Sequence, residues 1–278
     1  VEYRTILVHA DASVHAPARI HLAARLAQRT GAHLVGAAAT GISRFVCPGY
    51  DGALGNIIAG YLDPVYDQAT RMLDRFEQLA HAAGADLLVR RLVSDQPDDA
   101  LARQAAFADL VVLSQDDPRE STSDVVTRLP EYVVLNCARP VLVVPHSRMF
   151  EGAGNRVLVA WNGSREATAA VGSALPLMRG AEHVRVAICE PPSPERMHGA
   201  DRHADLLAWL GRHQVRAEVQ VQHGVQDAGT TLLALAEAMH ADLIVMGCYG
   251  HTRFRELLLG GASRTVLRAA TVPVLMAH

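Results

Sequence analysis

Residues 241–278 read ADLIVMGCYGHTRFRELLLGGASRTVLRAATVPVLMAH, and their reading decides the fold. An apolar run, Leu243 to Met246, ends on Gly247. Gly250 follows after two intervening residues and Gly260 after nine more. Gly261, Ala262 and Ser263 then open a segment with the spacing of an amphipathic helix, and a second apolar run closes the stretch. Strand, glycine-bearing turn, helix and strand in that order make a crossover unit of a parallel sheet.

The same unit occurs earlier in the chain. ADLVVLS begins at Ala108 and RPVLVVPH at Arg139, as ADLIVMG begins at Ala241 and VPVLMAH at Val272. Asp109 and Pro140 are 31 residues apart, and so are Asp242 and Pro273. The starts match too: TILVHADAS from Thr5 resembles RVLVAWNGS from Arg156, which places Asp11 opposite Asn162. Asp11 to Asp109 is 98 residues and Asn162 to Asp242 is 80, so the first repeat is longer by 18. The extra length is expected in GISRFVCPGYDGALGNIIAGYLD, 41–63, whose glycines and aromatics predict a long loop with a short helix.

In each repeat short β-branched runs alternate with Ala-rich amphipathic segments. In the second, the pattern predicts strands at 156–161, 184–189, 216–221, 242–247 and 272–276, and helices at 165–179, 200–213, 228–239 and 259–269. Strands so continuous in Val, Leu and Ile belong to parallel sheets covered on both faces. The fold class expected is α/β, with two tandem doubly wound, Rossmann-like domains of five strands each. Domain one covers 1–146, SRMFEGAGN at 147–155 is the linker, and domain two covers 156–278. An exposed apolar edge invites association, so the strands near 141–144 and 272–276 should pair within one chain. The residues leave a further homodimer open.

Composition narrows the function classes. Half of the 278 residues are hydrophobic and the formal net charge is −3, with no basic cluster to track a phosphate backbone, so no nucleic-acid partner is expected. The longest apolar runs fall far short of the roughly 20 residues that span a bilayer, and no signal-like start precedes the first strand. A cytoplasmic protein with no membrane partner is the expectation. The cysteines, Cys47, Cys137, Cys189 and Cys248, form no CxxC pair. Every basic residue of the 26 is arginine, which excludes lysine-dependent phosphoryl or Schiff-base chemistry.

In an open parallel sheet, ligands bind beyond the carboxyl ends of the strands where strand order reverses. Gly247 lies at such an end. The glycines have two readings: a cradle for phosphate at a helix N-terminus, or a turn and a helix opening with Ser263 as a cap. Neither G-x-G-x-x-G nor G-K-[ST] is present. His251, beside Gly250, either contacts a phosphate or is a solvated loop residue, and no carboxylate partner for it is evident. No nucleophile with an activating base is legible, so no enzyme and no catalytic residue is expected. His198, His203, His213 and His223 lack the spacing of a metal site and read as exposed. Trp161 either lies near a bound base or packs in the core.

The G-x2-G-x9-G pattern after ADLIVMG and before PVL resembles the universal stress protein family in its tandem two-domain form, over nearly the whole chain. The resemblance implies the adenine nucleotide alpha hydrolase-like sheet of five parallel strands, ATP binding where the glycines are intact, and dimerisation through the last strand. It implies that Gly247, Gly250 and Gly260 surround ribose and phosphates. Ala262 would contact a phosphate through its N–H, and Ser263 matches a hydroxyl position. Gly261 stands where the family has Ser or Thr, so Mg2+ accompanying ATP finds no hydroxyl there. Asn162 takes the place of an Asp that faces the adenosine, Ala160 would lie against the base, and Ile188 or Cys189 would line it. In the first repeat Ser114, Asp117 and Thr127 replace the three glycines, and Asp116, Asp117 and Glu120 would repel phosphate, so no nucleotide is expected there. The implied function is regulatory ATP binding in the second repeat, with a nucleotide-independent interaction scaffold as the alternative.

Overall fold

A computed structural model describes residues 2–42, 53–117, 119–120, 128–192, 200–248 and 261–278, without the side chains of 53–59, 61 and 200–202. The chain forms two compact units, one of Tyr3–Arg139 with Met149–Glu151, the other including Pro140–Arg148 and Gly152–His278.

The first unit runs β1 (Thr5–His9), α1 (Ala16–Thr30), β2 (His33–Ala39), α2 (Ala53–Ala82), β3 (Leu88–Val93), α3 (Pro97–Gln104), a 3-10 turn, β4 (Leu110–Ser114) and α4 (Leu129–Asn136). Its strands are parallel in the order β3-β2-β1-β4. The chain therefore steps outward from β1 to β3 and returns to the other side of β1, leaving a switch point between β1 and β4. Leu110 to Leu113 are wholly buried because helices cover both faces. At the edge, β3 exposes Arg90 and Arg91, charges that discourage pairing with another sheet.

The extra length of the first repeat departs from expectation. Residues 53–63 are not loop with a short helix; they form the first turns of α2, which runs unbroken through Pro64 to Ala82. The earlier part of the quoted segment, 43–52, lies outside the described residues. Gly55 and Gly60 suggest a loop, but the Ala, Leu, Ile and Tyr around them keep helical spacing, and an isolated glycine costs a helix only about 1 kcal/mol.

The second unit contains β5 (Val141–Val144), β6 (Arg156–Ala160), α5 (Arg165–Met178), β7 (His183–Cys189), α6 (Ala200–Arg212), β8 (Glu218–Gln222), α7 (Ala228–Ala238), β9 (Leu243–Gly247), α8 (Ala262–Ala269) and β10 (Val274–Ala277). Strand order is β5-β10-β9-β6-β7-β8. All neighbours are parallel except β5 on β10, where Leu142 faces Leu275 and Val143 faces Val274. The pairing expected between these two strands thus exists, and Val141 to Val144 are buried.

One repeated residue has a structural role that pattern alone hides. Asp109 Oδ2 accepts the backbone N–H groups of Arg4 (2.8 Å) and Thr5 (2.9 Å). Asp242 Oδ1 likewise accepts those of Gly154 (3.0 Å) and Arg156 (3.0 Å). In each repeat the Asp of the ADL motif therefore pins the chain entering the first strand to the strand beside it.

Candidate functional site

The site is built where β6 and β9 lie side by side, with Ala160 opposite Met246. From β6 the chain turns into α5, and from β9 it leads on to α8. The turn after β6 is tightly specified. Trp161 donates its N–H to Ala187 (2.9 Å), and Asn162 Oδ1 accepts the N–H of Ser164 (3.0 Å). Gly163 takes φ 71°, and Ser164 Oγ caps α5 by accepting the N–H of Ala167 (3.1 Å). The Asn162 oxygen is thereby engaged, and its amide N–H groups are what it can offer a ligand.

Beside this turn a cavity of about 490 Å³ opens, lined by Trp161, Asn162, Ile188, His203, Trp209 and Arg212 among others. That volume lies within the few hundred to a thousand Å³ typical of small-molecule sites. Ile188 is 3% exposed and, with the two indoles, gives the cavity apolar walls. His203 Nε2 is buried there without a hydrogen-bond partner among the described residues. An unpaired buried imidazole nitrogen is costly in a closed protein, and a ligand atom could satisfy it. Arg212 supplies a cation and Asp205 an anion at the same wall. Trp209 is braced by His213, with ring centroids 4.3 Å apart.

Of the residues singled out by sequence, Asn162 and Ile188 line the cavity, and Trp161 lines it rather than the core. Ala160 and Cys189 end their strands nearby, and burial pushes the Cys189 thiol up. Gly261 is the N-cap of α8, with its carbonyl accepting the N–H groups of Arg264 (3.0 Å) and Thr265 (3.2 Å). Ala262 is half-buried and Ser263 is buried in the first turn of α8. Gly250, His251 and Gly260 lie outside the described residues.

Gly247 has a packing role of its own. A Cβ there would come within 2.5 Å of the Ala167 nitrogen and 2.6 Å of the Glu166 carbonyl carbon. The bare backbone of β9 lets the first turn of α5 settle directly upon it. What sequence reasoning missed is the α6 wall. His203 was read as exposed, and Trp209 and Arg212 were not singled out. The signal lay in the spacing of Leu206 and Leu210, whose burial turns Trp209 toward the same face.

Among the described residues no three His, Cys, Asp or Glu side chains are grouped to hold a metal ion. Among the same residues no helix is long and apolar enough to cross a membrane. The residues fit the apolar and polar parts of a nucleoside: a cavity of sufficient volume, an amide donor, and an unsatisfied imidazole.

Comparison with known proteins adds family and fold. Residues 154–278 match the model of the Universal stress protein family. No curated protein matches the chain. The crystal structure of a universal stress protein from Archaeoglobus fulgidus is 18% identical, with 98% of this chain and 95% of that chain covered and a TM-score of 0.75. A protein of unknown function from Pseudomonas aeruginosa is 14% identical over 99% of this chain and 92% of its own, with a TM-score of 0.60. At these identities the two structures establish a shared fold.

Proposed function

We propose, from the match of residues 154–278 to the universal stress protein family, that the second repeat binds ATP while the first binds no nucleotide. The observation that carries this reading is the cavity beside Asn162, walled by the turn after β6, α5, the end of β7 and α6. Trp161 and Ile188 offer the base apolar contact, the Asn162 amide donates to the adenosine, and the N–H groups opening α8 suit phosphate oxygens. Mg2+ entering with the phosphates would neutralise their charge, though Gly261 provides it no side-chain oxygen.

The role is regulatory rather than catalytic: the nucleotide biases which conformation or partner the chain favours. We read the chain as two domains, 1–146 and 156–278, joined at 147–155, acting in the cytoplasm and able to associate as a homodimer. A second reading has a specific observation in its favour. Because Gly247 is already used to seat α5, a glycine there requires no ligand, and the protein then serves as a nucleotide-independent scaffold.

Mass spectrometry of denatured, freshly purified protein and calorimetric titration of ATP decide between them. About one adenine nucleotide per chain is expected. Asn162→Asp should weaken binding about tenfold, because a carboxylate has no N–H to donate to the adenosine. Gly260→Val should abolish it. Absence of nucleotide and of binding heat in the folded protein overturns the ATP reading in favour of the scaffold.

A further inference from the structure

At three places where the second repeat carries only Ala160, Ala170 and Gly247, the first carries His9, Arg19 and Ser114. Of these, Arg19 bonds to Ser114, to the His9 backbone and to the turn after β1. Arg19, 2% exposed on α1, donates through Nε to the His9 carbonyl (2.9 Å) and through Nη1 to Ser114 Oγ (2.6 Å). Its Nη2 donates to Asp11 Oδ1 (2.7 Å), on the residue aligned with Asn162. Asp11 also accepts the Ser13 N–H (3.1 Å), as Asn162 accepts that of Ser164. Burial pushes the Asp11 carboxyl up, but Arg19, His9 and Ser13 together outweigh it and hold it below its ordinary value.

The mouth of the same turn holds a second internal group. Glu120 reaches back across the chain so that Oε1 accepts the Val14 N–H (2.9 Å) and Oε2 accepts the Ser13 hydroxyl (2.8 Å). No acidic residue lies in the first turn of α1, so Glu120 brings from elsewhere the negative charge that a helix N-terminus favours. Asp117 supports it from the side, with Oδ2 at 3.0 Å from His15 Nε2 and Oδ1 accepting from Arg119 Nε (3.1 Å).

We propose that the first repeat carries its own ligand: the Arg19 guanidinium joins Asp11 and Ser114, the counterparts of Asn162 and Gly247, and the Glu120 carboxylate fills the N-terminus of α1, the counterpart of α5. This repeat then keeps a ligand-bound arrangement at all nucleotide concentrations, so any response of the protein to nucleotide arises in the second repeat. Like-charge repulsion, expected from the acidic residues, is therefore the lesser barrier to a nucleotide here; the space and its donors are already taken.

The test uses the full chain and no nucleotide, so a failure of ATP binding by the second repeat leaves it unaffected. Arg19→Ala should lower the melting midpoint by about 10 °C, as expected when a buried ion pair loses one member. Methylguanidinium at millimolar concentration should raise the midpoint of that variant by several degrees while leaving the parent unchanged, with methylammonium as the control. An unchanged midpoint in Arg19→Ala, or equal effects of methylguanidinium on variant and parent, overturns the guanidinium part. If Arg19→Ala does not fold, Glu120→Ala, altered at a partly exposed group, carries the test. Inorganic phosphate should then shift the amide NMR signals of Ser13 and Val14 in Glu120→Ala and not in the parent. Equal shifts in both, or none in either, overturn the proposal.

Discussion

His9 illustrates how much one buried residue can report. It is 5% exposed, and its Nδ1 lies 3.2 Å from Asp11 Oδ2 without the alignment of a hydrogen bond. Burial lowers its pKa to about 4 from 6.5, with Asp11 opposing and Arg19 reinforcing the shift. Because the folded value is depressed, the unfolded chain takes up the proton first as pH falls. The contribution of His9 is fully present above pH 6.5, is lost progressively between 6.5 and 4, and is constant below that. Relative to His9→Gln, the parent should therefore lose on the order of 3 kcal/mol across that window. Urea denaturation at pH 7, 5.5 and 4 measures it; a constant difference between the two proteins would place His9 in a solvated setting. None of this was legible in sequence, where His9 is one polar residue in an apolar run. Asn162 and Ile188 were legible only through the family resemblance, while periodicity located the strands that carry them.

At the scale of elements, alternation and continuous apolar runs revealed the strands, because burial on both faces leaves no polar position to blur them. Helix α2 was misread because glycine weighs heavily in a local reading, although packing of one helical face outweighs its small intrinsic penalty. The α6 wall went unrecognised because a cavity depends on what two helices leave between them, which neither sequence records. Gly247 shows the same limit from the other side. Its Cβ would meet backbone atoms of α5, and backbone cannot rotate away. Gly247→Ala should cost about 1–3 kcal/mol as α5 is displaced, with a lowered melting midpoint even when no nucleotide is present. A variant as stable as the parent would mean that α5 yields freely. Gly247 is consequently a poor position for testing nucleotide binding, and Gly260 a better one.

At the scale of the whole molecule, the internal repeat was legible because spacing is kept to the residue from Asp109 to Pro140 and from Asp242 to Pro273. The exchange of β5 into the unit of the second repeat was only half legible: the exposed-edge argument foresaw the partner, while the grouping of Pro140–Arg148 with Gly152–His278 emerged from the structure. A chain starting at Gly152 lacks β5 and leaves one side of β10 unpaired. Such a fragment should associate reversibly, seen as a concentration-dependent mass in sedimentation, whereas Leu275→Pro in that fragment should weaken the association. A strictly monomeric fragment would show that β10 needs no cover.

The β5–β10 pair also imposes an order in time. Val143 and its partner Val274 are 131 positions apart along the chain. A ribosome adding about 5–20 residues per second delivers β5 several seconds before the strand it must join. During that interval four consecutive apolar residues have no antiparallel neighbour, while the first four strands already have theirs. Synthesis thus passes through a stage in which the protein is half finished and adhesive, and the completion of the last strand is the event that ends it.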